Sequence, residues 1–150
     1  DKFCEQVQRV NWVQDNESYS TYGTLRGLHY QLPPHAQSKL VRVVQGKVLD
    51  IAVDIRQSSS TFGQYVAVEL SAKNKRQLFI PRGFAHGFVV LSETATFQYK
   101  VDNYYNKDCD RGIAFNDPAI GIDWQIDLSQ ALLSDKDQKQ PMLVNADLFE

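Results

Sequence analysis

A chain of 150 residues, 43% apolar and 23% charged, has the size and make-up of one soluble domain with a real core. Its formal charge of −2 supplies neither a basic groove for nucleic acid nor a cationic face for an anionic membrane. No apolar run approaches the roughly 18 residues of a spanning helix, and no signal peptide is visible, so neither a membrane nor a nucleic acid is expected as partner. Cys4 and Cys109 are far apart and outside any CxxC or Cys/His spacing. They point to a reducing, cytoplasmic setting without a zinc site, a disulfide between them being the alternative. The chain begins at Asp1 rather than Met, which leaves room for a natural N-terminus upstream.

In chain order, a helical turn is expected near residues 1–7. A glycine-punctuated strand follows, Arg26-Gly27-Leu28-His29-Tyr30-Gln31. Residues 39–44 and 48–55 flank Gln45-Gly46-Lys47 and predict a hairpin. Residues 65–70 alternate, with Val66, Val68 and Leu70 on one face, and strands are predicted over 76–80, 87–91 and 94–101. Breaks fall at Ser58-Ser59-Ser60, Lys73-Asn74-Lys75, Pro81-Arg82-Gly83 and Ser92-Glu93. A second helical turn is expected near 134–140. Residues 116–150 predict a loop-rich extension that packs through Ile120, Ile122, Trp124, Leu132 and Leu133. Short strands spaced by turns predict one all-β domain, an antiparallel sandwich or barrel.

The chemistry concentrates in two segments. Pro81-Arg82-Gly83-Phe84-Ala85-His86 carries the Pro-x-Gly-x-x-His signature of the cupin superfamily. Where a metal-binding cupin would carry His-x-His and a Glu, this chain has His29-Tyr30-Gln31 and, later, Lys39. Two imidazoles and an ammonium without a carboxylate ligand suit proton transfer and an oxyanion better than a divalent metal. Near neutral pH His29 is the natural base, and Asp137 is a candidate to fix its tautomer. Tyr99 shares strand parity with Ala95, Phe97 and Val101, so it is either a core tyrosine or a protonated phenol held as a donor. Lys39 either reaches to solvent or stabilises a developing enolate oxygen. Arg26 suits a carboxylate or phosphate. Simple alternation sets Arg26 and His29 on opposite faces, so both line one site only if the strand bends near Gly27. His86 is structural, a second polar contact or a helper to the base. Gln14-Asp15-Asn16 and Tyr104-Tyr105 are turn and surface material or the amides and aromatics of a sugar or base site.

With these residues assembled, the chain resembles the dTDP-4-dehydrorhamnose 3,5-epimerase family. The resemblance runs through residues 13–16, 25–31, 39–46, 60–64, 74–78, 80–88 and 117–124. It implies a jelly-roll homodimer of the cupin type that acts on dTDP-4-keto-6-deoxyglucose in dTDP-L-rhamnose biosynthesis, with no metal and no cofactor. By motif position it makes His29 the base, Asp137 its dyad partner, Tyr99 the acid and Lys39 the residue near the C4 oxygen. Arg26, Gln14, Asn16, His86, Tyr105 and Lys136 fall on substrate-lining positions. Family members begin with two further strands that cross to the partner subunit, and this chain starts after them. The rival readings are a 3-epimerase or 3,4-ketoisomerase of the same fold, which Tyr99 disfavours only in the second case. Less favoured are a metal-dependent cupin and a non-catalytic sugar-binding jelly roll.

Overall fold

The computed structural model describes residues 9–150. The helical turn expected near 1–7, Cys4 and the alternative disulfide to Cys109 lie outside the described residues. Nine strands are described: β1 Gln14–Thr21, β2 Leu25–Gln31, β3 Lys39–Gln45, β4 Lys47–Asp54, β5 Tyr65–Ser71, β6 Gln77–Ile80, β7 Phe84–Val90, β8 Thr94–Val101 and β9 Asp110–Gly112. They form two antiparallel sheets, β1-β8-β3-β6 and β5-β4-β7-β2-β9. This is the all-β antiparallel sandwich that the turn spacing predicts, with the cupin-type jelly-roll architecture that the resemblance implies.

The β3–β4 hairpin turns at Gly46, whose φ of +75° is left-handed and whose Cβ would meet the Thr94 carbonyl oxygen at 2.0 Å. Strand β8 keeps the predicted limits. Strand β7 begins three residues earlier than the predicted 87, so His86 sits inside the sheet rather than at its start. Strand β1 is a correction: its polar sequence reads as turn and surface, yet it pairs with β8 over eight consecutive residues. It is a strand because β8 offers a free edge, not because its own pattern demands one. The turn expected near 134–140 narrows to a single 3-10 turn, Asp137–Lys139.

Two apolar layers follow from the alternation. Between the sheets lie Val41, Val43, Val48, Ala52, Leu70, Ile80, Phe88, Val90, Ala95 and Phe97. On the other face of the five-stranded sheet, Leu25, Leu28, Leu49, Ile51, Val53 and Val89 meet Ile113, Ile120, Trp124 and Leu143 from the segment after β9. Strand β4 is therefore buried on both faces. The C-terminal extension thus forms a third layer. Trp124 is 2% exposed and donates to the Phe115 carbonyl at 2.9 Å. The buried Asp117 carboxylate accepts from the backbone of Ala119 and Leu143 at 2.8 and 2.6 Å. The Leu25 amide at the start of β2 donates to the Leu132 carbonyl at 3.0 Å, the Leu132 amide donates to the Gly23 carbonyl at 2.8 Å, and the Tyr30 hydroxyl donates to the Asp147 carbonyl at 2.5 Å. The extension is tied along the strand that carries His29.

Candidate active site

The site begins with a bulge. Across β2 and β7, Leu25 faces Val89 and Arg26 faces Phe88, but His29 faces His86, one residue out of register. One extra residue in β2 absorbs the shift, which is the geometry of a β-bulge. Gly27 makes it feasible: its φ is +127°, and a Cβ there would lie 2.6 Å from Gly87 Cα. The bulge resets alternation, so Arg26 and His29 line one cavity while Leu28 between them is wholly buried on the other face. The bend near Gly27 that Arg26 and His29 need in order to share one site is thus present, and simple alternation does not hold across it.

His29 Nε2 is hydrogen-bonded to Asp137 Oδ1, and Asp137 is 2% exposed. Burial pushes the Asp137 carboxyl up, but the His29 hydrogen bond and charge, with bonds from Ser134 and the Gly27 backbone, outweigh it and hold it below the usual carboxylate range. An ionised carboxylate accepts only, so the neutral imidazole places its proton on Nε2 and keeps a lone pair on Nδ1. That is the tautomer a base needs.

Lys39 opens β3 and Tyr99 lies on the neighbouring β8, with the Lys39 ammonium 6.0 Å from the Tyr99 ring centroid. Burial lowers the Lys39 ammonium to about 8, and the charges of Asp50 and Asp110 oppose that fall. Burial raises the Tyr99 phenol, against the lowering effect of Arg26, so the group stays protonated. Tyr99 packs on Phe97 at 5.9 Å, and Phe97 stacks on Phe88 at 4.4 Å, which fixes the phenol's direction. Among the described residues, neither the Lys39 amine nor the Tyr99 hydroxyl has a hydrogen-bond partner in the protein. Two polar heads held unpaired beside a base are poised for a ligand.

Two adjoining cavities of about 240 and 230 Å³ share Asn16, His29, Lys39 and Tyr99. The first adds Gln14, Tyr105 and Lys136, and the second adds Arg26 and His86. Nine of the ten expected site residues thus line the two cavities, and Asp137 sits behind His29. A larger hollow of about 420 Å³ shares Asn16, Glu17 and Tyr99 with the second cavity, but its other walls include Arg42, Gln98 and Lys100, on the opposite face of their strands. Those pair with each other and with Asp15, so that hollow holds no comparable set of unpaired heads.

Two acidic residues escaped the sequence reading. Asp110 lines the first cavity, is ion-paired with Lys136 and accepts from the Tyr105 hydroxyl at 3.2 Å. Asp50 is completely buried in β4 and contacts His86 Nε2 at 2.6 Å. The available signal for Asp50 was a lone carboxylate inside Val48-Leu49-Asp50-Ile51-Ala52-Val53, where both faces are otherwise apolar.

Residues 1–145 match the family model described as dTDP-4-dehydrorhamnose 3,5-epimerase. The chain is 58% identical over 142 residues to the dTDP-4-dehydrorhamnose 3,5-epimerase of Shigella flexneri, covering 95% of this chain and 77% of that protein. The crystal structure of the Elizabethkingia anophelis enzyme of that name superposes with a TM-score of 0.91 at 54% identity, covering 94% of this chain and 78% of that one. A dTDP-6-deoxy-D-glucose-3,5-epimerase from Legionella pneumophila, in complex with dTDP-4-keto-L-rhamnose, gives a TM-score of 0.95 at 47% identity, covering 99% of this chain and 80% of that one. With its jelly roll, its bulged β2 and its His29–Asp137 pair, the chain belongs to the dTDP-4-dehydrorhamnose 3,5-epimerase family.

Proposed function

We propose that the protein inverts C3 and C5 of dTDP-4-keto-6-deoxyglucose by proton abstraction next to the C4 ketone, the epimerisation of dTDP-L-rhamnose biosynthesis. The observation that carries this reading is the meeting of His29, Lys39 and Tyr99 in one cavity, with Asp137 behind the histidine. Hydrogens at C3 and C5 are both alpha to the ketone, so one enolate chemistry serves both centres. His29 Nδ1 takes the proton, and the imidazolium that forms is stabilised by the buried Asp137 carboxylate. Negative charge develops on the C4 oxygen and is met by the Lys39 ammonium, in a site where burial strengthens that contact. Tyr99 gives a proton to the carbon from the opposite ring face, and solvent restores the phenol. The His29 imidazolium returns its proton to solvent, so the protons balance over the cycle and the substrate's oxidation state is unchanged at each step.

Arg26 is suited to the diphosphate through its fork of donors, and Gln14, Asn16, His86, Tyr105 and Lys136 to the sugar and base. The unit of function is a homodimer, a reading that rests on the family rather than on any contact described here. Incubation of the protein with dTDP-4-keto-6-deoxyglucose in deuterated water tests the function. Deuterium at both C3 and C5 with inverted product is expected. Deuterium at C3 alone would replace the reading with a 3-epimerase, and at neither with a binding module.

A further inference from the structure

A completely buried carboxylate that touches no substrate position needs a reason. Asp50 is 0% exposed, and its two oxygens lie 2.6 and 3.1 Å from His86 Nε2. Stripped of water, an unpaired carboxylate in this apolar layer would cost several kcal/mol, so the His86 contact is what makes Asp50 tolerable. The imidazole is held as firmly from other sides. It is 7% exposed, stacks on Phe97 at 6.1 Å and 19°, and faces His29 across β2 and β7. Among the described residues, His86 Nδ1 has no hydrogen-bond partner in the protein. It is also absent from the fully buried unpartnered atoms, of which Ser20 Oγ is the sole case among those residues. His86 lines the cavity that His29, Lys39 and Tyr99 share, so Nδ1 is the part of the ring left to meet a ligand.

We infer that Asp50 is a positioning residue that locks His86 in its Nε2–H tautomer, so that His86 meets the sugar as a hydrogen-bond acceptor through Nδ1. The inference rests on the epimerase reading of the same cavity for the identity of the ligand, a sugar hydroxyl. Burial lowers the His86 imidazole more strongly than Asp50 raises it, and the positive fields of Lys39 and His29 act in the same direction as burial. The ring is therefore neutral at neutral pH. A neutral ring beside an ionised carboxylate must donate from Nε2, which frees the lone pair on Nδ1.

The test is histidine NMR on the intact protein, which reads protonation without reading activity. His29, His35 and His86 are the three histidines, so the His86 ring is assignable with one His86→Gln control. Nitrogen-15 spectra between about pH 6 and 8 are expected to show His86 neutral, with Nε2 protonated and Nδ1 bare. A cationic ring, or a proton on Nδ1, would overturn the tautomer lock in the unaltered protein. In Asp50→Asn the carboxamide can donate as well as accept, so a ring protonated on Nδ1 should appear beside the Nε2–H form. Persistence of the Nε2–H form alone in a folded variant would overturn the positioning role of Asp50. If the protein fails to turn over the sugar nucleotide while these spectra come out as expected, the epimerase reading falls and the proton arrangement stands.

Discussion

His29 and Lys39 make opposite demands on their surroundings. His29 needs an anion behind it, and Asp137 supplies one that is buried, ionised and bonded to the ring. Asp137→Asn should lower kcat by about 10²-fold or more at neutral pH, because the imidazolium loses its stabilising charge and the ring loses its fixed tautomer. Steady-state kinetics checks this, with KM expected to move far less. Lys39 is held as an ammonium in a half-buried place, where loss of hydration lowers its pKa from 10.5 to about 8. The folded state thus binds its proton less tightly than the unfolded chain. The cost is fully present below about pH 8 and is relieved as pH rises from there toward the unfolded value. Lys39→Met should accordingly raise stability at pH 7, by about 1–3 kcal/mol, while removing the oxyanion contact and most of the turnover. A thermal melt read beside an activity assay separates the two effects. A loss of both would show that the amine makes a stabilising bond.

At the scale of elements, the bulge in β2 and the C-terminal layer decide where the site lies. Gly27→Ala places a Cβ 2.6 Å from Gly87 Cα at a φ of +127°, so β2 and β7 must part or the bulge must slip. Slippage by one residue turns His29 or Arg26 away from the cavity. The expected result is destabilisation of about 1–3 kcal/mol together with loss of activity, measured by urea unfolding and turnover. Trp124→Ala acts at a distance from the cavity. It should cost about 3–5 kcal/mol by emptying the third layer, and kinetics on the folded fraction should be nearly unchanged. Sequence and structure part company at the same elements. The β3–β4 hairpin was legible because two apolar, valine-rich runs flank the Gly46 turn, and β8 because its apolar residues alternate after the polar Ser92-Glu93 break. Strand β1 was not, because a polar strand at the end of a sheet takes its conformation from its neighbour's edge. The bulge was invisible to alternation counting, which assumes one residue per step, although Gly27 marked the place. Asp50 stood out as a lone carboxylate in an apolar run, but its role was not legible because its partner, His86, comes from another strand. His29, Lys39, Tyr99 and His86 were legible as groups, but their convergence depends on four different strands.

Across the whole molecule, two sheets and a covering segment bring residues from both ends of the sequence to one cavity, from Gln14 on β1 to Lys136 beside the last turns. Homodimerisation is the expectation at this scale. Light scattering at micromolar concentration should give twice the chain mass, and a monomer would count against it. The account turns on two proton-transfer groups that work on opposite faces of one sugar ring, and the most direct measurement is NMR of dTDP-4-keto-6-deoxyglucose in deuterated water with the Tyr99→Phe protein. This variant keeps the ring packed on Phe97 and removes only the donor. Deuterium should still enter next to the ketone with configuration retained, because His29 continues to deprotonate, while inverted product falls sharply. His29→Ala, run alongside, should abolish exchange and inversion together. Equal loss of exchange and inversion in both variants would contradict the account and reassign Tyr99 to holding the substrate.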